Sequence, residues 1–310
     1  MRTMTAIVAI FITVWLSPAS ASEPFAEGPK KCQECHEAEY DVWKETPHAK
    51  SYKKIHKTDK AKAIVAAIGV KSMKKAKECQ LCHYTLIPKE VGAKAKAKAG
   101  PSCESCHGPS SDWRAIHNDY GGANATAETE STEHKQLRLQ TAKDAGMIWS
   151  FMHYDTAAGC MDCHGLAHPD LEADTLITML DAGHPVKPEF ELVQYSQGTV
   201  RHRFYPPDVS TNSVMSGVEL ARYFVTGQAA KLVSAIAALK KSDHTDYVTT
   251  QTKRAEMARK ALAAVTSVPE AAALLAQPTE ENARKLVDAI KDTDLSTEVG
   301  HLLPDPNSYK

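Results

Sequence analysis

Cys160-Met161-Asp162-Cys163-His164 is the last of four segments with a single shape. The others are Cys32-Gln33-Glu34-Cys35-His36, Cys79-Gln80-Leu81-Cys82-His83 and Cys103-Glu104-Ser105-Cys106-His107. Together they use all eight cysteines of the 310-residue chain, so no thiol is left over. Cysteine pairs at this spacing have several chemistries. Two pairs can close a tetrahedral zinc site, one pair can cycle as a redox dithiol, and an exported chain can oxidise its pairs to disulfides. None of these requires a histidine directly after the second cysteine. With 14 histidines in 310 residues, four such neighbours would arise by chance only about four times in a million.

Cys-x-x-Cys-His is instead the attachment signature of a c-type haem. Two thiols add across the two vinyl groups on one edge of the porphyrin, and the next residue brings its imidazole under the iron. The reading predicts four haem c groups, tethered by Cys32, Cys35, Cys79, Cys82, Cys103, Cys106, Cys160 and Cys163. His36, His83, His107 and His164 are then the proximal iron ligands. Haems also answer a puzzle of composition. Only 6% of the residues are aromatic, and four flat apolar cofactors would supply core that these side chains cannot. The fold class that follows is mainly α, a multihaem cytochrome c fold with little sheet and with haems as its core. Without haem such a chain is expected to be largely unfolded, because a site that does not pre-exist makes binding energy into folding energy.

The amino terminus carries a compartment signal. Arg2 precedes an apolar run from Ala6 to Leu16, and Ala19-Ser20-Ala21 follows as a small-x-small cleavage site. The run is shorter than the roughly 20 residues that a spanning helix needs. Residues 1–21 therefore read as a cleaved signal peptide, and the mature chain as periplasmic without a membrane span. A formal charge of -1 with 24% charged residues excludes a strongly basic nucleic-acid binder and a disordered tail.

The flanks of the motifs resemble a known family. Gly28-Pro-Lys-Lys-Cys-Gln-Glu-Cys-His36, the following Trp43-Lys-Glu-Thr-Pro-His48-Ala-Lys, and Cys103-Glu-Ser-Cys-His107-Gly-Pro with His117 ten residues on are similar to the cytochrome c-554 family. The resemblance covers roughly residues 25–165 and implies a periplasmic tetrahaem electron carrier with redox protein partners. It also implies distal ligands: His48 over the haem at His107, and His117 over the haem at His36. Further on, Met179-Leu-Asp-Ala-Gly-His184-Pro and Val200-Arg-His202-Arg-Phe resemble larger multihaem cytochromes, where such segments supply iron ligands. That likeness assigns His184 to the fourth haem and His202 to the second. In the family the second haem is five-coordinate, so His202, His153, Met73 or no side chain could face the haem at His83. An open iron there would suit an enzyme that reduces a small nitrogen oxide, the alternative to a carrier. Assembly into a conducting filament or larger complex is a third possibility. His56, His134, His244 and His301 read as surface residues, and His168 as too close to His164 to cap the same haem.

Residues 22–205 thus read as the tetrahaem domain and 206–310 as a helical region. In the latter, Val218, Ala221, Val225, Ala229, Leu232, Ile236 and Leu239 recur at helical spacing. Further helices are expected over about Thr249–Val265, from Pro269, and after a cap at Thr279, packed antiparallel. Asp59 to Lys77 reads as a Lys- and Ala-rich helical stretch, and Gly92 to Gly100 as a loop or frayed helix. Residues 53–98 hold 13 lysines against 3 acids. That stretch is either a solvated face or a docking surface for an acidic redox partner.

Overall fold

The computed structural model describes residues 23–206 and 208–310; the expected signal segment lies outside them. Helices dominate. The first five are α1 Pro29–Gln33, α2 Glu37–Glu45, α3 Pro47–Lys54, α4 Asp59–Ala67 and α5 Lys77–His83. Then come α6 Cys103–His107, α7 Arg114–His117, α8 Thr132–Asp144, α9 His153–His164, α10 Ala173–Asp181 and α11 Leu192–Ser196. The remainder are α12 Gly217–Ala238, α13 Thr245–Leu262, α14 Pro269–Ala276, α15 Glu280–Ala289 and α16 Ser296–Val299. No helix among the described residues is long and apolar enough to cross a membrane.

Local chemistry sets the starts of many of these helices. The Thr46, Thr58, Ser131 and Thr279 hydroxyls accept from main-chain N–H groups three residues on, and Pro47 and Pro269 occupy first turns. Ser216 and Glu219 form a reciprocal capping box that starts the 22-residue α12. Each Cys-x-x-Cys-His segment lies in or directly after a helix. In the second, third and fourth motifs the three chemical residues, at i, i+3 and i+4, therefore share one helix face, whereas Cys35 and His36 of the first lie in the turn after α1.

Two stretches depart from the sequence expectation. The helix from Asp59 ends at Ala67, because Gly69 turns left-handed at φ 73°, and a new helix starts only at Lys77. Residues 96–99 form strand β2, antiparallel to β1 Thr85–Ile87, rather than a loop or frayed helix. Alternation explains this: the lysines at 94, 96 and 98 are exposed, and Ala99 is buried.

The main apolar core joins α9 to the carboxy-terminal helices. Met161 and Ala157 pack with Phe224, Val225 and Leu232 of α12, Leu262 of α13, and Leu274, Leu286 and Ile290 beyond. The helical region after residue 206 is thus built directly onto the helix that carries the fourth motif. Elsewhere the clusters are small. Ala61, Val65, Met73 and Tyr84 form one, and Trp113, Ala142 and Met147 another. Facing histidines lie among them.

Candidate functional site

Each motif histidine faces one other imidazole. Ring centroids are 6.3 Å apart for His36 and His117, 6.0 Å for His48 and His164, 6.2 Å for His83 and His184, and 6.4 Å for His107 and His202. A metal–nitrogen bond is about 2 Å, and each ring centre lies about 1 Å behind its nitrogen, so one ion between two imidazoles holds the centroids ~6 Å apart. All four pairs meet that requirement, with four different second histidines. The residues present fit four haems ligated on both faces.

The rings are also prepared electronically. The Nδ1 atoms of His107, His117, His184 and His202 lie 2.5–3.0 Å from the carbonyls of Ile148, Arg114, Pro185 and Val200. An Nδ1–H donated there leaves the Nε2 lone pair free for a metal. Surrounding protein favours the neutral, ligating form. Burial brings His83 and His164 down to about 4, and lowers His48, His107, His117 and His184 as well. The His107 ring is fixed further, since its own carbonyl accepts from Ile148 N–H at 3.0 Å. His117 ends α7, where Arg138 donates to its carbonyl at 2.7 Å and the Trp113 ring meets it edge-on at 5.3 Å.

The thiols lie beside one another across motifs. Cys32 contacts Cys103, and Cys82 contacts Cys163. Cys106 sits close enough to Cys160 to raise its thiol pKa further, after burial. The motifs are therefore side by side in the order first, third, fourth, second. Among the described residues, no three His, Cys, Asp or Glu side chains converge as an ion site.

The eight histidines singled out in the sequence are the eight that meet in pairs, but three partners differ. His117 faces His36, the partner that the resemblance implied. His48 faces His164 rather than His107, His184 faces His83 rather than His164, and His202 faces His107 rather than His83. Packing decides each change. The α10 face of Leu176, Met179 and Leu180 packs with Ile64 of α4 and Leu81 inside the second motif, which brings the following His184 to His83. Residues 198–204 face α2, the helix that follows the first motif, with Arg201 and Phe204 lining a groove opposite Val42 and Glu45. Helix α3 packs on α5, whose Cys82 touches Cys163, so His48 reaches the fourth motif.

The other candidates do not join these pairs. Met73 is buried in an apolar cluster, and His153 stacks edge-on against Tyr223 at 5.3 Å. His134 pairs with Glu130 at 2.7 Å, and the Nε2 of His244 lies 3.2 Å from Asp181. Reasoning from sequence missed the contacts behind the motifs. Glu104 of the third motif binds the main chain just before the first, and Tyr247, Gln251 and Arg254 of α13 bind the fourth motif and the peptide after it; no spacing rule points to them.

Residues 31–108, which hold three of the four motifs and His48, match the family described as Cytochrome c554 and c-prime. Over 110 residues the chain is 34% identical to cytochrome c-554 of Nitrosomonas europaea, an alignment covering 34% of this chain and 46% of that protein. The chain thus spans about half the length of that curated relative. No solved structure matches.

Proposed function

We propose, on the premise that residues 31–108 are a cytochrome c-554 family segment, that this chain is an exported tetrahaem carrier of single electrons between redox proteins. One observation carries the reading: every motif histidine is met by a second histidine at 6.0–6.4 Å. When bound, haem supplies one-electron storage on iron. The protein holds it through eight thiols and four proximal imidazoles, and His117, His48, His184 and His202 close the opposite faces. Iron ligated by two histidines has no site for a substrate, and its potential is low. His184 opposite His83 supports the carrier over the reductase, since the resemblance left the second centre open and a nitrogen-oxide reductase needs an open iron. The thiol contacts set the motifs side by side in the order first, third, fourth, second, which supports electron hopping in that spatial order rather than in sequence order.

The exposed Lys96 and Lys98 stand on one face of β2 with the exposed Lys94 just before it, and none of the three enters an ion pair among the described residues. They suit an acidic redox partner, whose approach they would steer. Mass spectrometry of the exported protein tests the count, with four porphyrin masses retained after denaturation as the expected result. Ferric absorption and EPR spectra test the ligation. A wholly low-spin spectrum unchanged by cyanide or nitric oxide is expected, and a high-spin fraction that binds either ligand overturns the closed centres.

A further inference from the structure

His164 ends α9, and the peptide that follows it is gripped from behind. The Gly165 carbonyl accepts from Gln251 Nε2 at 2.9 Å, and the Leu166 carbonyl accepts from the Tyr247 hydroxyl at 2.9 Å. Both donors come from α13, more than 80 residues along the chain. Leu166 needs this hold, being the one described non-glycine residue with a positive φ, at 51°. Arg254 completes the grip. Its guanidinium lies against Gly165, where a Cβ would collide with it. It reaches Met161 Sδ at 3.4 Å, Ser234 Oγ at 3.2 Å and Gln251 Oε1 at 2.5 Å. Met161 stands between the two cysteines of the fourth motif, so a full positive charge touches the back of that motif.

Among the described residues no carboxylate pairs with this charge. Arg254 is 1% exposed, and its partners are a thioether, an amide and a hydroxyl. The charged group that α12 turns toward it is Lys231, another cation, itself 1% exposed and without a hydrogen-bond partner among the described residues. From α13 the titratable neighbour is Tyr247. Asp162 of α9 interacts instead with Lys241 and Asp170. Burial lowers the Arg254 pKa only to about 10, so the charge persists at neutral pH. The third motif has the opposite arrangement, with the buried Glu104 carboxylate satisfied by N–H and hydroxyl donors.

We propose that Arg254 is a positioning residue for the fourth centre, and that its buried charge raises the reduction potential of the haem on His164. The inference rests on the reading of motif 4 as a haem site. Reduction adds one negative charge at the iron, and an uncompensated cation in a medium of low dielectric favours that state. Tyr247 and Gln251 hold the same peptide without charge, so they affect the orientation of His164 rather than its potential.

The test is a potentiometric titration of purified holoprotein for the wild type, Arg254→Met, Arg254→Lys and Gln251→Leu, with haem counted by mass on each sample. In Arg254→Met, one quarter of the absorbance change is expected to move to lower potential while three quarters stay in place. Arg254→Lys restores the wild-type midpoint, and Gln251→Leu changes the EPR signature of one low-spin centre with its midpoint unmoved. Ser234→Asp, which sets a carboxylate beside an intact Arg254, is expected to lower the same midpoint, and it decides the matter should the Met variant not fold. Unchanged midpoints in Arg254→Met or Ser234→Asp, with four haems counted, overturn the proposal. A wild-type chain whose His164 peptide carries no haem overturns the reading of the motif instead.

Discussion

Glu104, inside the third motif, accepts a hydrogen bond from the main-chain N–H of Gly28 at 2.7 Å, four residues before the first motif begins. The same carboxylate accepts from Glu27 N–H at 2.8 Å and from Ser110 N–H at 3.0 Å. Gly28 can take this place because its φ is 98° and a Cβ would run into Ile87. One buried anion thereby sets the first and third motifs side by side, with Cys32 against Cys103.

Glu104→Gln keeps the shape and removes the charge and one acceptor oxygen. Hydrogen bonds to a charged group contribute about 1.5–3 kcal/mol, so a loss of about 2 kcal/mol in the urea unfolding free energy of the holoprotein is expected. A loss under about 0.5 kcal/mol would mean that the carboxylate is not the tie between these motifs.

His184→Ala should leave all four haems attached and convert one of them to high spin, since the thiols and His83 are untouched. Cyanide should then bind to a quarter of the iron. His48→Ala should behave likewise, but its open centre belongs to His164. Combining His48→Ala with Arg254→Met would alter one and the same titration component if that pairing holds. Two separate components would return His48 to another centre.

Much of the site was legible because its chemistry is local. Two thiols three apart with an imidazole on the next residue are neighbours along the chain whatever the tertiary structure, so the four motifs can be read from spacing alone. Partner choice is not local. His184 follows α10, and only the packing of Leu176, Met179 and Leu180 against Ile64 and Leu81 carries it to His83. The helices after residue 206 were legible from period and a cap: Thr279 starts one, and Gly217–Ala238 matches the repeat from Val218 to Leu239. The stretch from Gly92 to Gly100 was not, because alternating Lys and Ala suits a helix by propensity and a strand by period. Pairing with Thr85–Ile87 selects the strand.

That strand makes a kinetic prediction. Lys96 and Lys98 of the strand and Lys94 just before it are all exposed, so a triple substitution to glutamine removes three neighbouring surface charges while the ladder stays intact. The association rate with an acidic redox partner should fall by about tenfold at low ionic strength, with its salt dependence flattened. Stopped-flow rates at two salt concentrations would show this. Equal rates for the two proteins at low salt discard the docking surface.

Lys231 predicts a pH dependence of stability. Burial brings its ammonium down from 10.5 to about 8, an effect that Glu191 offsets only in part, and its Nζ has no hydrogen-bond partner among the described residues. Between pH 8 and 10.5 the unfolded chain binds the proton that the folded chain has released, so this group makes stability rise with pH across that window. Below pH 8 the penalty is fully present. Lys231→Met, which fills similar volume without charge, should therefore stabilise the holoprotein by about 1–3 kcal/mol at pH 7. The gain should shrink from pH 8 upward and vanish near pH 10.5. Paired urea melts of the two proteins at pH 7, 9 and 10.5 measure it. A Met variant less stable than the wild type at pH 7 would show that the buried ammonium is held by a partner that the fold has yet to reveal.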